Sequence, residues 1–440
     1  MKMIWAGALG ALSICGSVWA QEGREYSPLG EVLKLNTPVT TILTDTQEHI
    51  TQDAVYLLKA RQSGVVAANT FTLGGFVKAG QYYESTDQAG KYPILGRFPF
   101  QHGKGTSNQD FVINVAGLSG IASVGDWLTA YAQVEYSEVT FTGDHDQIQW
   151  REYYAVLGNL DVFGGYLAYG RKSIDFGEQF GYNPFTHSVN QHFFWALADE
   201  PVLEVGYIGE TWRVSGTLAP GERMLRVGMT TDREGDLGSN FALKAERHFN
   251  LGADRQLRVS ASYLHDTIYN NNYTAHTLHA INRQAPPHAP LPPRVYIAKR
   301  TGLMDVAAEF TSPRFDLAVE YTQSTRSWIA TSFDTHTGAK FDGTRPLSAL
   351  SVMGRYKTRV FNVPTDLAAV YSQSVMGPDN TEFNDVFQHT LSTEFHLNPY
   401  LDLGIELVLN EGFQPFVGIQ DVSISNVQSQ VGIVGVTARF

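Results

Sequence analysis

Cysteine is nearly absent. The 440-residue chain has one, Cys15, inside an N-terminal apolar stretch, so no disulfide framework holds the remainder together. Long apolar runs are missing as well: past residue 20 nothing approaches the ~20 consecutive apolar residues of a membrane-spanning helix. There is no basic excess; the formal net charge is -12, which argues against nucleic acid as a partner. The sequence has no G-x-S-x-G elbow, no H-E-x-x-H, no P-loop and no G-x-G-x-x-G, so no catalytic residue, metal ligand set or cofactor site is assigned from motifs. Amphipathic stretches of helical period all but stop after residue 65, whereas a soluble α/β chain of this length would alternate strand and helix patterns.

Glycine (41), tyrosine (21) and phenylalanine (25) are plentiful. Lys2, the apolar stretch 3–14 and Val18-Trp19-Ala20 follow the order of a secretory signal peptide, expected over 1–20. Leu12-Ser13-Ile14-Cys15 outlines a lipoprotein site, but Ile14 is larger than the small residue such a site wants before its cysteine. Residues 21–68 form a separate N-terminal segment, periplasmic or lumen-entering. Within it 46–61 predicts one amphipathic helix, with Ile50, Ala54, Leu57 and Leu58 on one face, Asp45 or Thr46 as cap and Gly64 as terminator.

From residue 69 to 440 the period is two. Strands are expected near 71–80, 110–118, 127–137, 148–158, 162–172, 202–208, 211–218, 240–249, 257–266, 303–310, 315–324, 348–360, 366–375, 387–397, 401–410 and 428–440. Connections alternate long (84–108, 138–147, 173–201, 219–239, 267–302, 325–347, 376–386, 411–427) and short (119–126, 159–161, 209–210, 250–256, 311–314, 361–365, 398–400). Tight turns on one side and long loops on the other, with an even strand count, predict an all-β transmembrane antiparallel β-barrel of about sixteen strands in the bacterial outer membrane. Leu401, Leu403, Ile405, Leu407 and Leu409 oppose Asp402, Gly404 and Glu406; in a membrane barrel the apolar set meets lipid and the polar set lines the interior. Val434, Val436, Ala438 and Phe440 alternate to a terminal aromatic, as outer-membrane barrels do, and Tyr82, Tyr83, Trp127, Trp150, Trp212 and Tyr400 suit interfacial girdles.

The inward set mixes signs: Lys78, Glu135, Arg258, Asp305, Glu309, Asp316, Glu320, Arg355, Lys357, Arg359, Glu394, Asp402, Glu406 and Arg439. So many charges require a wet interior. Two readings stand: the charges pair across the lumen and hold it round, or Arg355, Lys357 and Arg359, three like charges at period two, form a track for an anionic solute. The connection 173–201, with Asp175, Phe176, Gly177, Glu178 and Phe193-Phe194-Trp195, is either a loop folded inward to narrow a channel or a rigid outer loop. His276, His279 and His288 lack a neighbouring carboxylate or thiolate at ligand spacing and read as a solvated loop.

The chain resembles the LbtU-like siderophore porins. The likeness rests on a helical segment ending Leu57-Leu58-Lys59-Ala60-Arg61, a first strand Leu73-Gly74-Gly75-Phe76-Val77, and Tyr169-Gly170-Arg171-Lys172 followed by Phe176-Gly177, with Asp175 where the family carries proline. The resemblance implies passage or surface binding of a ferric siderophore, an anionic polycarboxylate, with Arg171, Lys172, Arg355, Lys357 and Arg359 as contacts. A general diffusion porin for sugars or anions, and a non-transporting adhesin or barrel enzyme, are the alternatives. Porins often form homotrimers, but no interface is legible in the sequence.

Overall fold

The structure, a computed structural model, describes residues 51–95, 105–138, 148–195, 201–220, 237–252, 254–265, 302–326, 348–375, 385–413 and 426–440, with 33–35, 39, 42–43 and short stretches between 328 and 346. Sixteen antiparallel strands make one closed sheet: β1 (Phe71–Thr86), β2 (Ser107–Val124), β3 (Leu128–Tyr136), β4 (Gln149–Asn159), β5 (Phe163–Arg171), β6 (Val202–Ile208), β7 (Trp212–Pro220), β8 (Leu237–Gly252), β9 (Arg255–Leu264), β10 (Leu303–Thr311), β11 (Phe315–Ser324), β12 (Ser348–Val360), β13 (Val363–Val375), β14 (Asp385–Asn398), β15 (Leu401–Phe413) and β16 (Asn426–Arg439). Each pairs with the next, and β16 returns to β1 with Arg439 opposite Phe76 and Ser429 opposite Thr86. The expected strand count holds. Several strands run further than expected, β1 into the long connection after it and β2 mainly into the short one, through 119–124. Beyond the lipid, at either end, a strand needs no apolar face, so alternation no longer marks where it stops.

Closure depends on the seam. Phe440 and Gly75 exchange backbone hydrogen bonds (2.9 and 3.2 Å), and below them the sixteenth strand has run out. There Leu33–Leu35 lies parallel to β1, with Leu33 opposite Phe71 and Leu35 opposite Leu73. This short segment covers backbone groups that would otherwise be an open edge.

The two faces separate cleanly. Phe315, Leu317, Val319 and Tyr321 are exposed on the outside of β11 while Asp316 and Glu320 are buried inside. Thr129, Tyr131, Gln133 and Glu135 are likewise buried on β3. Only lipid can cover an apolar belt that runs around the whole sheet without desolvating groups that need water. Of the expected girdle aromatics, Tyr83, Trp127, Trp150 and Trp212 are exposed, but Tyr82 is buried and its hydroxyl accepts from Asn114 Nδ2 at 2.7 Å. Tyr82 and Tyr83 are adjacent, so a strand can point only one of them outward.

The N-terminal helix α1 (Asp53–Gln62) is shorter than expected; 46–50, and with them the proposed caps Asp45 and Thr46, lie outside the described residues. Gly64, at φ 75°, ends it as anticipated. The helix sits inside the barrel at the short-turn end. Ala54, Leu57 and Leu58 pack with Ile121, Tyr131, Tyr154, Val156, Tyr166 and Ala168 of the inner wall of β2 to β5. Arg61 holds it there, donating to Leu128 O (2.8 Å), Thr129 Oγ1 (3.0 Å) and Gly125 O.

A sheet closed by hydrogen bonds resists detergent at room temperature. Unboiled protein in dodecyl sulfate is therefore expected to migrate ahead of boiled protein on a gel, and a single band common to both samples would contradict closure.

Candidate functional site

The segment after β5 folds into the lumen, which decides between the two readings of that connection. From Lys172 to Trp195 nearly every described side chain is buried. Two carboxylates of the wall hold its backbone. Glu320 of β11 accepts from the amides of Glu178 (2.8 Å), Gln179 (2.8 Å) and Phe180 (3.3 Å). The turn that aims all three needs Gly177 at φ 68°, where an added Cβ would meet Gln179 at 2.3 Å and Glu320 at 3.0 Å. Across the barrel Glu406 of β15 accepts from Phe185 N (3.0 Å), Thr186 N (3.4 Å) and the Thr186 hydroxyl. Phe185 fits because Gly404 and Gly435 face it; a Cβ would come within 2.6 and 2.7 Å of its ring.

Between those anchors lies a buried ion network. Asp175 meets Arg213 of β7 and Lys244 of β8 (3.2 Å). Glu178 meets Lys244 (2.9 Å) and Arg258 of β9 (3.1 Å), and Arg258 continues to Glu309 of β10 (2.8 Å). Burial alone would raise the Asp175 carboxyl, but Arg213 and Lys244 overcome it and hold the group below the usual carboxylate range. Glu178 is lowered in the same way, against burial, by Arg258 and Lys244. The N-terminal segment joins this network: Gln52 Nε2 donates to Glu178 (2.6 Å) and Glu246 (3.2 Å), and the Thr51 hydroxyl donates to Gly177 O (3.2 Å). Asp53 of α1 lies outside that network, raised by burial and then by Glu152 of β4.

Beyond Glu406 the segment forms α2 (Val189–Phe194), capped by the Ser188 hydroxyl, which accepts from Gln191 N at 3.2 Å. It lies along β11 to β14, with Val189 N donating to Ser372 Oγ at 3.1 Å.

The five candidate residues separate. Lys172 is buried, its ammonium 2.6 Å from Glu204 of β6. Arg171 is half-buried opposite Tyr153, on the strand parity of exposed Leu167 and Tyr169. Arg355, Lys357 and Arg359 share the inward parity of β12, with Arg355 and Lys357 both on Asp316 (2.8 Å each), Arg355 stacked over Tyr182, and Arg359 exposed near the short-turn end. The inward charges named from sequence do point inward, but most meet the loop or one another and not bulk water. Arg213, Lys244 and Glu246 were missed, although their alternation with exposed Trp212, Val214 and Leu243 could have identified them. His276, His279 and His288 lie outside the described residues. Among the described residues no group of His, Cys, Asp and Glu is arranged to hold a metal.

Asp175→Ala should cost about 3 kcal/mol, the lower end for breaking a buried ion pair, because Glu178 and Glu246 still flank the two cations. The expected readout is a lower temperature for loss of the fast-migrating band, with Asp316→Ala shifting it less because its partners Arg355 and Lys357 are part-exposed and can turn to water.

The fold has clear structural neighbours. An anion-selective porin from Comamonas acidovorans superposes with a TM-score of 0.53 at 12% identity, over 84% of this chain and 99% of that one. The outer-membrane channel DcaP of Acinetobacter baumannii gives 0.51 at 14%, over 84% and 97%. Pseudomonas putida OprB gives 0.51 at 11%, over 84% and 94%. No family model and no curated protein sequence matches the chain. At these identities the likeness establishes the fold: a closed sixteen-strand barrel of the outer-membrane porin type.

Proposed function

We propose that this chain is an outer-membrane channel for a small anionic solute, with ferric polycarboxylate siderophores as the solute class, exported by a signal peptide over 1–20. The observation that carries the reading is the position of Arg355, Lys357 and Arg359. Helix α1 fills the β2–β5 side of the short-turn mouth. On the opposite side β12 turns its basic ladder toward water, with the Lys357 side chain 36% exposed. An anion leaving a constricted lumen meets these groups last, where hydration keeps binding weak enough for release. The anion-selective neighbour from Comamonas acidovorans supports the sign of the solute, and the resemblance to siderophore porins supports its class. Lys172 contributes indirectly, by anchoring the loop to β6.

A general diffusion porin is the second reading. A loop pinned to β11 and β15 narrows the lumen under either reading, so solute selectivity separates them.

The test is conductance of the purified mature protein in planar bilayers, with ferric polycarboxylates added to one side. Anion-biased conductance that the ferric ligand blocks is expected. Lys357→Gln combined with Arg359→Gln should weaken both the bias and the block. Equal permeation of unrelated sugars, indifferent to those two changes, would favour the general porin.

Helix α1 bears on the same measurement. Burial of Leu57 and Leu58 contributes about 3–6 kcal/mol to its docking, so Leu57→Asp with Leu58→Asp should unseat it and raise the open-channel current. Unchanged current would mean that the helix does not restrict passage.

A further inference from the structure

The basic ladder faces a patch whose charges nearly cancel. Along the inner wall of β11 to β16, at the short-turn end, the register sets Arg355 and Lys357 beside Asp316 and Asp366, then Glu394 and His396 on β14, Asp402 on β15 and Arg439 on β16. The carboxylates are shared. Asp316 meets Arg355 and Lys357, Asp402 meets Arg439 and His396, and Asp366 meets His396 and Arg355 (3.9 Å). Among the described residues of this patch the fixed cations are Arg355, Lys357, Arg359 and Arg439, and the carboxylates are Asp316, Asp366, Glu394 and Asp402. They balance. The remaining titratable group is His396.

Its geometry is that of a charged ring. Nδ1 lies 3.0 Å from Asp402 Oδ1 and Nε2 lies 3.5 Å from Asp366 Oδ2. A neutral imidazole has one N–H and can donate to only one of these carboxylates; an imidazolium can serve both. The side chain is 35% exposed, so protons reach it directly from the aqueous mouth. The groups facing it are Asp366 from β13, Asp402 from β15, Glu394 on its own strand, Arg439 from β16 and, through Asp366, Arg355 from β12.

We propose that His396 is the selectivity-determining residue of the periplasmic mouth: protonated, it gives the patch a net positive charge and strengthens the anion preference; neutral, it leaves the patch balanced and the preference falls to what the basic ladder alone supports. The inference rests on the channel reading above and refines it. It assigns the pH response to one ring and gives that response a sign: anion selectivity rises as pH falls through the range where histidines titrate, between about pH 8 and pH 5.

The experiment is the reversal potential of the full mature protein in bilayers under a salt gradient, at both ends of that range. In the wild type the anion-to-cation permeability ratio is expected to rise at least severalfold on acidification: one added charge ~4 Å away in water favours an anion about fivefold and disfavours a cation by as much, before salt screens both. His396→Gln should remove most of that rise, His396→Lys should hold the acidic ratio at both pH values, and His248→Gln, a half-buried histidine on the other side of the mouth, should leave the rise intact. Equal rises in wild type and His396→Gln, or no rise in the wild type, would overturn the role of His396 and leave the channel intact. Absence of conductance in every variant at either pH would remove the channel reading and this refinement together.

Discussion

The interior of this protein is governed by one constraint: a closed sheet with an apolar exterior must carry its charged side chains inside. Lipid accepts none of them, and the lumen is too narrow to leave each in bulk water. The inner wall therefore needs counter-charges and hydrogen-bond donors, and they come from two insertions. The segment after β5 supplies Asp175 and Glu178 to Arg213, Lys244 and Arg258, and supplies backbone amides to Glu320 and Glu406. The N-terminal segment supplies Gln52 to Glu178 and Glu246 and an apolar helical face to a wall of tyrosines. Truncating one member of such a network leaves its partner charged and desolvated, which explains how a loop of this length stays packed without a disulfide.

The barrel was legible because its signal is local. Period two needs only neighbours in sequence, and Leu401 to Leu409 against Asp402 and Glu406 carries it unaided. The alternation of long and short connections gave the sidedness without reference to any contact. What was not legible depends on register and on the path of the loop. No sequence pattern says that Glu320 will receive three amides from residues some 140 positions away, or that Lys172 will turn from solute to Glu204. Arg171 and Lys172 are adjacent, and adjacency on a strand assigns them to opposite faces; the Tyr82–Tyr83 pair obeys the same rule. Arg355, Lys357 and Arg359, spaced by two, fall on one face of β12 because that spacing survives any register.

The two insertions also divide the lumen. With α1 against β2 to β5, and the loop's ion network against β7 to β10, the half-exposed inward charges gather on β12 to β16. Water that enters from the short-turn end meets Arg355, Lys357, Asp366, His396 and Arg439 while Asp175 and Glu178 stay sealed. Similar charges thus serve different ends. Buried ones hold the loop by strong, unscreened pairing, and wet ones interact weakly enough to exchange partners with a passing ion.

The loop itself is held unevenly along its length. Its first half, Asp175 to Phe180, combines ion pairs, a three-amide clasp on Glu320 and Arg258 stacked over Phe180. Its second half rests α2 on a neutral wall of Ser351, Ser372, Ser374 and Thr390. There the buried amides of Asn183 and Asn190 find no partner among the described residues. A buried amide without a partner costs about 1–3 kcal/mol, whereas each charged contact in the first half contributes about as much in the opposite sense. Any widening of the lumen that keeps the barrel closed therefore costs least where α2 lifts from β12 to β14, directly above the patch that contains the basic ladder. The path of least resistance and the wet basic ladder fall on the same side of the barrel.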